Sequence, residues 1–161
     1  MKAIGIRVQS KQIYYSIVEE TDTDYYITAV EKFTVPMALL MPDRLSYIRT
    51  SFQSIIKEFG VSNAGIRIAE ISQTVNNGII ERTYIEGVLQ ELLSNCSVNN
   101  YFSGRKNTIA RLLEMNQKEV SSIMDANKCL FEFDKWNDYS KEERESIVAG
   151  FASIRLGGED E

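Results

Sequence analysis

Histidine is absent from this chain, and only two cysteines, Cys96 and Cys129, occur among its 161 residues. The first absence excludes Ser-His-Asp and Cys-His nucleophilic catalysis, and the two together exclude the usual structural zinc sites. Two cysteines do not make a disulfide framework, so they read as reduced thiols of a cytoplasmic protein. No apolar run approaches the ~20 residues of a membrane span, and the opening Met1–Arg7 is too short and too polar for a signal peptide. The expectation is a soluble protein with no membrane partner. An excess of basic residues is also missing: 23 Asp and Glu stand against 18 Lys and Arg, a formal charge of −5. Sequence-independent nucleic-acid binding draws its affinity from Lys and Arg, so the global balance argues against it without excluding a local basic patch. Three of the acids are Glu159, Asp160 and Glu161, which leaves −2 for the body of the chain and weakens that argument.

What is present is a composition that suits one folded domain, 43% hydrophobic and 25% charged. Residues 1–156 read as that domain and 157–161 as an acidic tail. Ala3–Val8 alternates as a buried strand, with Ile4, Ile6 and Val8 on one face and Ala3, Gly5 and Arg7 on the other. Lys11–Glu19 and Asp24–Val35 are rich in Tyr, Ile, Val and Thr, which predicts two further strands and an antiparallel meander. Leu45, Ile48, Phe52, Ile55, Ile56 and Phe59 fall at helical spacing, with Asp43 as the expected N-cap and Gly60 as the stop. Ala64–Glu70 reads as a strand between two helices and hence parallel to its partner. A helix through Ile80, Tyr84, Val88, Leu89, Leu92 and Leu93 and a weak strand at Val98–Ser103 follow.

Two short helices are expected at Lys106–Met115 and Gln117–Met124, with Asn116 as cap of the second. Leu130–Phe133 reads either as a strand or as a buried extended linker. Ser140-Lys141-Glu142-Glu143 is a capping box that opens a last helix carrying Ile147, Val148, Phe151 and Ile154. Trp136 reads as packing at a core edge. Tyr14, Tyr15, Tyr25 and Tyr26 read as cross-strand packing rather than a stacking platform for bases.

In such mixed sheets ligands collect beyond the carboxyl ends of the parallel strands. Small residues on both partners, Ala3 and Gly5 on the first strand and Ala149 and Ala152 on the last helix, allow that helix to lie against the sheet. The packing would gather Glu70, Glu142, Glu145 and Arg7 at one end. Three carboxylates in one place suit Mg²⁺ or Mn²⁺. Glu142 and Glu145 equally suit the first turn of a helix for its dipole alone.

The strand order, Ala3-Ile4-Gly5-Ile6, Ile68-Ala69-Glu70, and Glu142–Glu145 leading into Ser146–Ala152 together resemble the RuvC-type Holliday-junction resolvases. The resemblance implies an α/β, RNase H-like fold, with a mixed five-stranded sheet of a three-strand antiparallel meander plus parallel strands, flanked by helices. It also implies a divalent-metal nuclease acting on branched DNA, and a homodimer. The family's acidic positions fall on Glu70, Glu142, Glu145 and, at the first, Arg7. Asn116–Val120 resembles the stretch in which the family carries a lysine near the DNA backbone, which makes Lys118 a candidate contact alongside Arg105, Lys106 and Arg111.

Arg7 departs from the pattern, since a guanidinium cannot ligate a metal and stays charged. The glycine-rich turn after the first strand is missing, and Ser72–Asn77 has no aromatic wedge. The expected function is a catalytically degenerate module that associates with double-stranded or branched DNA or with a protein partner. Two alternatives stand beside it. One is an active divergent endonuclease holding Mg²⁺ or Mn²⁺ with Glu70, Glu142, Glu145 and a further acid such as Asp134 or Asp138. The other is a structural or regulatory subunit without nucleic acid.

Overall fold

A computed structural model describes residues 1–157. The expected acidic tail beyond Gly157 lies outside the described residues. Five strands, β1 (Lys2–Val8), β2 (Gln12–Glu20), β3 (Tyr25–Thr34), β4 (Asn63–Arg67) and β5 (Asn100–Gly104), form one sheet in the order β3-β2-β1-β4-β5. The meander β1-β2-β3 is antiparallel, and β4 and β5 run parallel to β1. Helices α1 (Met41–Phe59) and α2 (Asn77–Ser94) supply the crossovers around β4. Then come α3 (Lys106–Leu112), α4 (Gln117–Met124) and α5 (Lys141–Ile154).

The alternation of β1 sorts the core into two layers. Ile4, Ile6 and Val8 face α1 and α2, packing with Ile48, Phe52, Ile85 and Leu89. Ala3 faces the other side, where Val18, Val120, Ile123, Ile147, Phe151 and Trp136 form a second cluster. Residues Arg144–Ile154 of α5 are all buried, because the sheet covers one side of this helix and α3, α4 and the 125–139 segment cover the rest. A helix this enclosed must approach the sheet closely. A Cβ at Gly5 would sit 1.8 Å from the Ser146 carbonyl oxygen, and one at Gly65 would sit 2.4 Å from that of Ala149. Ala149 and Ala152, both fully buried, belong to the same contact.

Several expected boundaries move. Helix α1 starts at Met41, with Leu40 at the cap and Pro42 in the first turn; Asp43 lies inside that turn and caps nothing. Strand β4 ends at Arg67, so Glu70 stands in the loop beyond it. Leu130–Phe133 is neither strand nor extended linker: Phe131 and Glu132 adopt left-handed backbone at φ 50° and 57°, and Phe131 stacks on Tyr25 at 3.9 Å between ring centres. Both predicted cap motifs form: Asn116 with Glu119, and Ser140 with Glu143, each exchange side-chain and backbone hydrogen bonds. No described helix is long and apolar enough to cross a membrane.

Candidate functional site

The parallel pairing of β1 with β4 sets Arg7 directly opposite Arg67 at the carboxyl ends of both strands. Period-two alternation puts both on the face covered by α5, as it does Gly5 and Gly65 two pairs earlier. The first turns of α5 bring Glu145 to the same place. Glu145 is buried with 2% of its surface exposed, so its charge requires partners. Arg7 donates to it through Nε, and Arg67 Nη2 lies 3.9 Å from its other oxygen. The carboxylate therefore sits between two guanidiniums.

Further groups complete the wall. Glu70 forms an ion pair with Arg67 Nη2 at 3.1 Å and accepts from the Lys106 backbone N–H at 3.1 Å. On α2, Arg82 and Glu86 stand four residues apart, and Glu86 accepts from Arg82 Nε at 2.7 Å and from the Ala69 N–H at 3.0 Å. Arg105 holds the same loop by donating to the Ala69 carbonyl at 2.9 Å. The result is a cleft of about 340 Å³, into which Arg7, Arg67, Arg82, Lys106 and Lys141 face with Glu70 and Glu145. Burial lowers the pKa of Arg67; Glu145 and Glu70 raise it, and Arg7 lowers it further. Burial and then Arg7 likewise lower that of Arg82. Arg67 Nε and Arg82 Nη2 are buried without a hydrogen-bond partner.

The four positions expected to converge are thus divided. Arg7, Glu70 and Glu145 share the cleft; Glu142 turns aside and accepts from Gln9 at 2.9 Å. Asp134 lines a separate cavity with Cys129 and Trp136, and neither Asp134 nor Asp138 reaches the cleft. Among the described residues no three acidic, cysteine or histidine side chains gather closely enough to hold a metal ion. Guanidiniums occupy the places between the carboxylates, and this donor set does not fit Mg²⁺ or Mn²⁺.

Of the basic candidates, Lys106 lines the cleft and Arg105 braces its loop, whereas Arg111 and Lys118 are exposed on α3 and α4. Arg67, Arg82, Glu86 and Lys141 were not singled out from the sequence. Arg67 was legible as the residue sharing a face with Gly65, and Arg82–Glu86 as an ion pair at helical spacing. What gave no local signal was their meeting, which depends on the register of β1 with β4.

No family model matches this chain, and no curated protein matches it in sequence. Solved structures do. RuvC of Thermus thermophilus in complex with a Holliday junction substrate superposes with a TM-score of 0.71 at 10% identity, over 99% of this chain and 97% of that one. The yeast mitochondrial Holliday junction resolvase gives 0.62 at 14% identity, over 97% and 78%. The Fowlpox virus resolvase, in complex with Holliday junction DNA, gives 0.52 at 11%, over 99% and 100%. The chain has the RuvC-like, RNase H-like α/β fold.

Proposed function

We propose that this chain is a catalytically degenerate RuvC-fold module that binds branched or double-stranded DNA through its phosphates and does not cut it. The observation that carries this reading is the pair Arg7–Arg67, in register on β1 and β4, with Glu145 between them. A guanidinium neutralises carboxylates permanently and offers fixed donors to a phosphate, but it activates no water. Two structures with this fold are complexes with Holliday junction DNA, which makes a junction the first ligand to test. Lys106 lines the cleft, and Arg111 and Lys118 stand exposed on α3 and α4, so basic groups are available to phosphates on a chain whose overall charge is acidic.

The test is fluorescence anisotropy on a four-way junction and a duplex of equal length across a salt series, with cleavage followed in Mg²⁺ and in Mn²⁺. The expected result is binding whose logarithm falls with log salt by about 0.9 per phosphate contacted, and no cleavage. Cleavage in Mn²⁺ that Glu70→Gln abolishes would overturn the reading in favour of a divergent nuclease. Absence of binding at low salt would favour a structural or regulatory subunit.

A further inference from the structure

The cleft contains a cation pair that its own acids do not satisfy. Arg7 is taken by Glu145, Arg82 by Glu86 at 2.7 Å, and Lys141 by Asp125 at 2.7 Å. Arg67 and Lys106 remain. Arg67 shares Glu145 only at 3.9 Å, and Lys106 Nζ makes no ion pair among the described residues. Glu70 pairs with Arg67 Nη2 and accepts from the Lys106 backbone N–H with the same carboxylate oxygen, which leaves the Lys106 ammonium without an acid of its own.

Glu70 differs from the other acids here in how it is held. Its side chain is 48% exposed, and it stands in a loop beyond the end of β4, whereas Glu145 is buried. An exposed carboxylate on a loop is readily exchanged for another anion, and one negative charge against two positive ones leaves the place cationic. Buried Arg67 Nε and Arg82 Nη2 lack acceptors, although both side chains line this same cleft. Buried donors in folded proteins nearly always have partners, so these two show an excess of donors over acceptors around the cleft, although both atoms are covered by protein and are not themselves contacts for a ligand.

The geometry points to a metal-independent seat for one phosphate group on Arg67 and Lys106, occupied in the free protein by Glu70, which swings out when phosphate enters. Inorganic phosphate or a terminal phosphomonoester offers three or more free oxygens and up to two charges where Glu70 brings two and one, whereas an internal phosphodiester, with two free oxygens and one charge, competes with Glu70 through its tetrahedral geometry alone. The group can come from a phosphorylated strand end or from an internal phosphodiester. The inference rests on the nucleic-acid reading only for that source; the seat itself is argued from the cleft.

The sign of one substitution separates this arrangement from a carboxylate metal site. Removing the charge of Glu70 would weaken a metal site but strengthens a phosphate seat. Calorimetric titration with inorganic phosphate in the presence of EDTA is expected to show binding. Glu70→Gln is expected to tighten it about fivefold or more, the scale of a half-exposed ion pair released plus a repulsion removed. Lys106→Met, at a partly exposed position, is expected to weaken it. Thermal melts of both variants should match the parent, so that the affinities report the cleft.

Phosphate binding that is absent, that requires Mn²⁺, or that Glu70→Gln weakens or leaves unchanged overturns the seat. Anisotropy with junctions carrying or lacking 5′-phosphates assigns the source: a dependence on the end group selects a strand end, and equal competition by phosphate against both selects the internal backbone. Junction binding with no response to phosphate overturns the seat and leaves the nucleic-acid reading standing. Phosphate binding without junction binding does the reverse.

Discussion

Arg7 and Arg67 face each other across the parallel β1–β4 pair, and the buried carboxylate of Glu145 lies against both. Two guanidiniums paired at one register position of adjacent strands repel, and burial adds to the cost of charging Arg67. Glu145 offsets both effects because α5 carries it into the gap, and α5 can come that close because Gly5 and Gly65 present no side chain beneath it. Strand register, glycine placement and helix docking therefore act together to build one ion cluster.

That cluster makes stability depend on Arg7. Arg7→Met keeps the bulk of the side chain and leaves Glu145, only 2% exposed, with Arg67 alone. Breaking a buried pair from one side costs about 3–5 kcal/mol, and the remaining Arg67 places the expected loss near the lower end. Urea unfolding should show it. In a double-mutant cycle with Glu145→Leu, the second substitution should recover part of the loss, because the uncompensated carboxylate is then gone.

The fold was largely legible because its signals are local or periodic. Alternation along Ala3–Val8, the caps at Asn116 and Ser140, and the apolar stripe of α5 each announce an element within a few residues. Boundaries that depend on neighbours were not legible. Glu70 lies outside β4 because pairing with β1 stops at Arg67, and Phe131 and Glu132 are turned left-handed in a segment that stacks on Tyr25. Arg7, Glu70 and Glu145 were singled out through their place relative to strand ends and the last helix. Arg67 and Arg82 each resemble a solvated charge on a strand or a helix, and Arg82 has its carboxylate four residues on; only the register of β1 with β4 brings both into one cleft. Glu142 shows the converse: it shares a helix face with Glu145, yet its partner is Gln9.

Gly5 and Gly60 should respond in opposite degree to the same substitution. An added Cβ at Gly5 would overlap the Ser146 carbonyl and the Gly150 backbone, neither of which can move without shifting α5. Gly5→Ala is expected to cost at least about 4 kcal/mol, in the range reserved for core disruption, or to prevent folding. Gly60 ends α1 at φ 60° with open space around it, so Gly60→Ala should cost only the left-handed strain of about 1–2 kcal/mol. Thermal melts of the two variants, together with far-ultraviolet circular dichroism, make the comparison.

Acid sensitivity should be traceable in part to Lys141. Its ammonium donates to Asp125 at 2.7 Å and holds that carboxyl below its ordinary pKa, a hydrogen bond being the largest cause. A folded-state pKa below the unfolded value of about 3.9 means that the contribution is present above that value and is lost as pH falls through the lower folded one. Lys141→Met should therefore lower stability at neutral pH slightly and make the decline below about pH 4 shallower. Unfolding midpoints measured from pH 2 to pH 7 would reveal the change in slope, and an unchanged slope would mean that the pair contributes nothing.

Arg7→Asp tests how far the cleft stands from a metal site. The substitution adds a carboxylate near Glu145 and removes one guanidinium, but Arg67 remains within 3.9 Å of Glu145 and 3.1 Å of Glu70. A cation placed among these acids would still meet that charge at close range, where unlike-charge attraction and like-charge repulsion are largest. Arg7→Asp alone is accordingly expected to bind no Mn²⁺ by calorimetry. Arg7→Asp combined with Arg67→Ser leaves the introduced carboxylate, Glu70 and Glu145 without a competing guanidinium, and Mn²⁺ should then bind. The folded double variant is further expected to melt at higher temperature as Mn²⁺ is added, because an ion that binds only the folded state stabilises it by mass action. Mn²⁺ binding by Arg7→Asp alone would show that Arg67 does not stand in for the metal and that Arg7 by itself had closed the site.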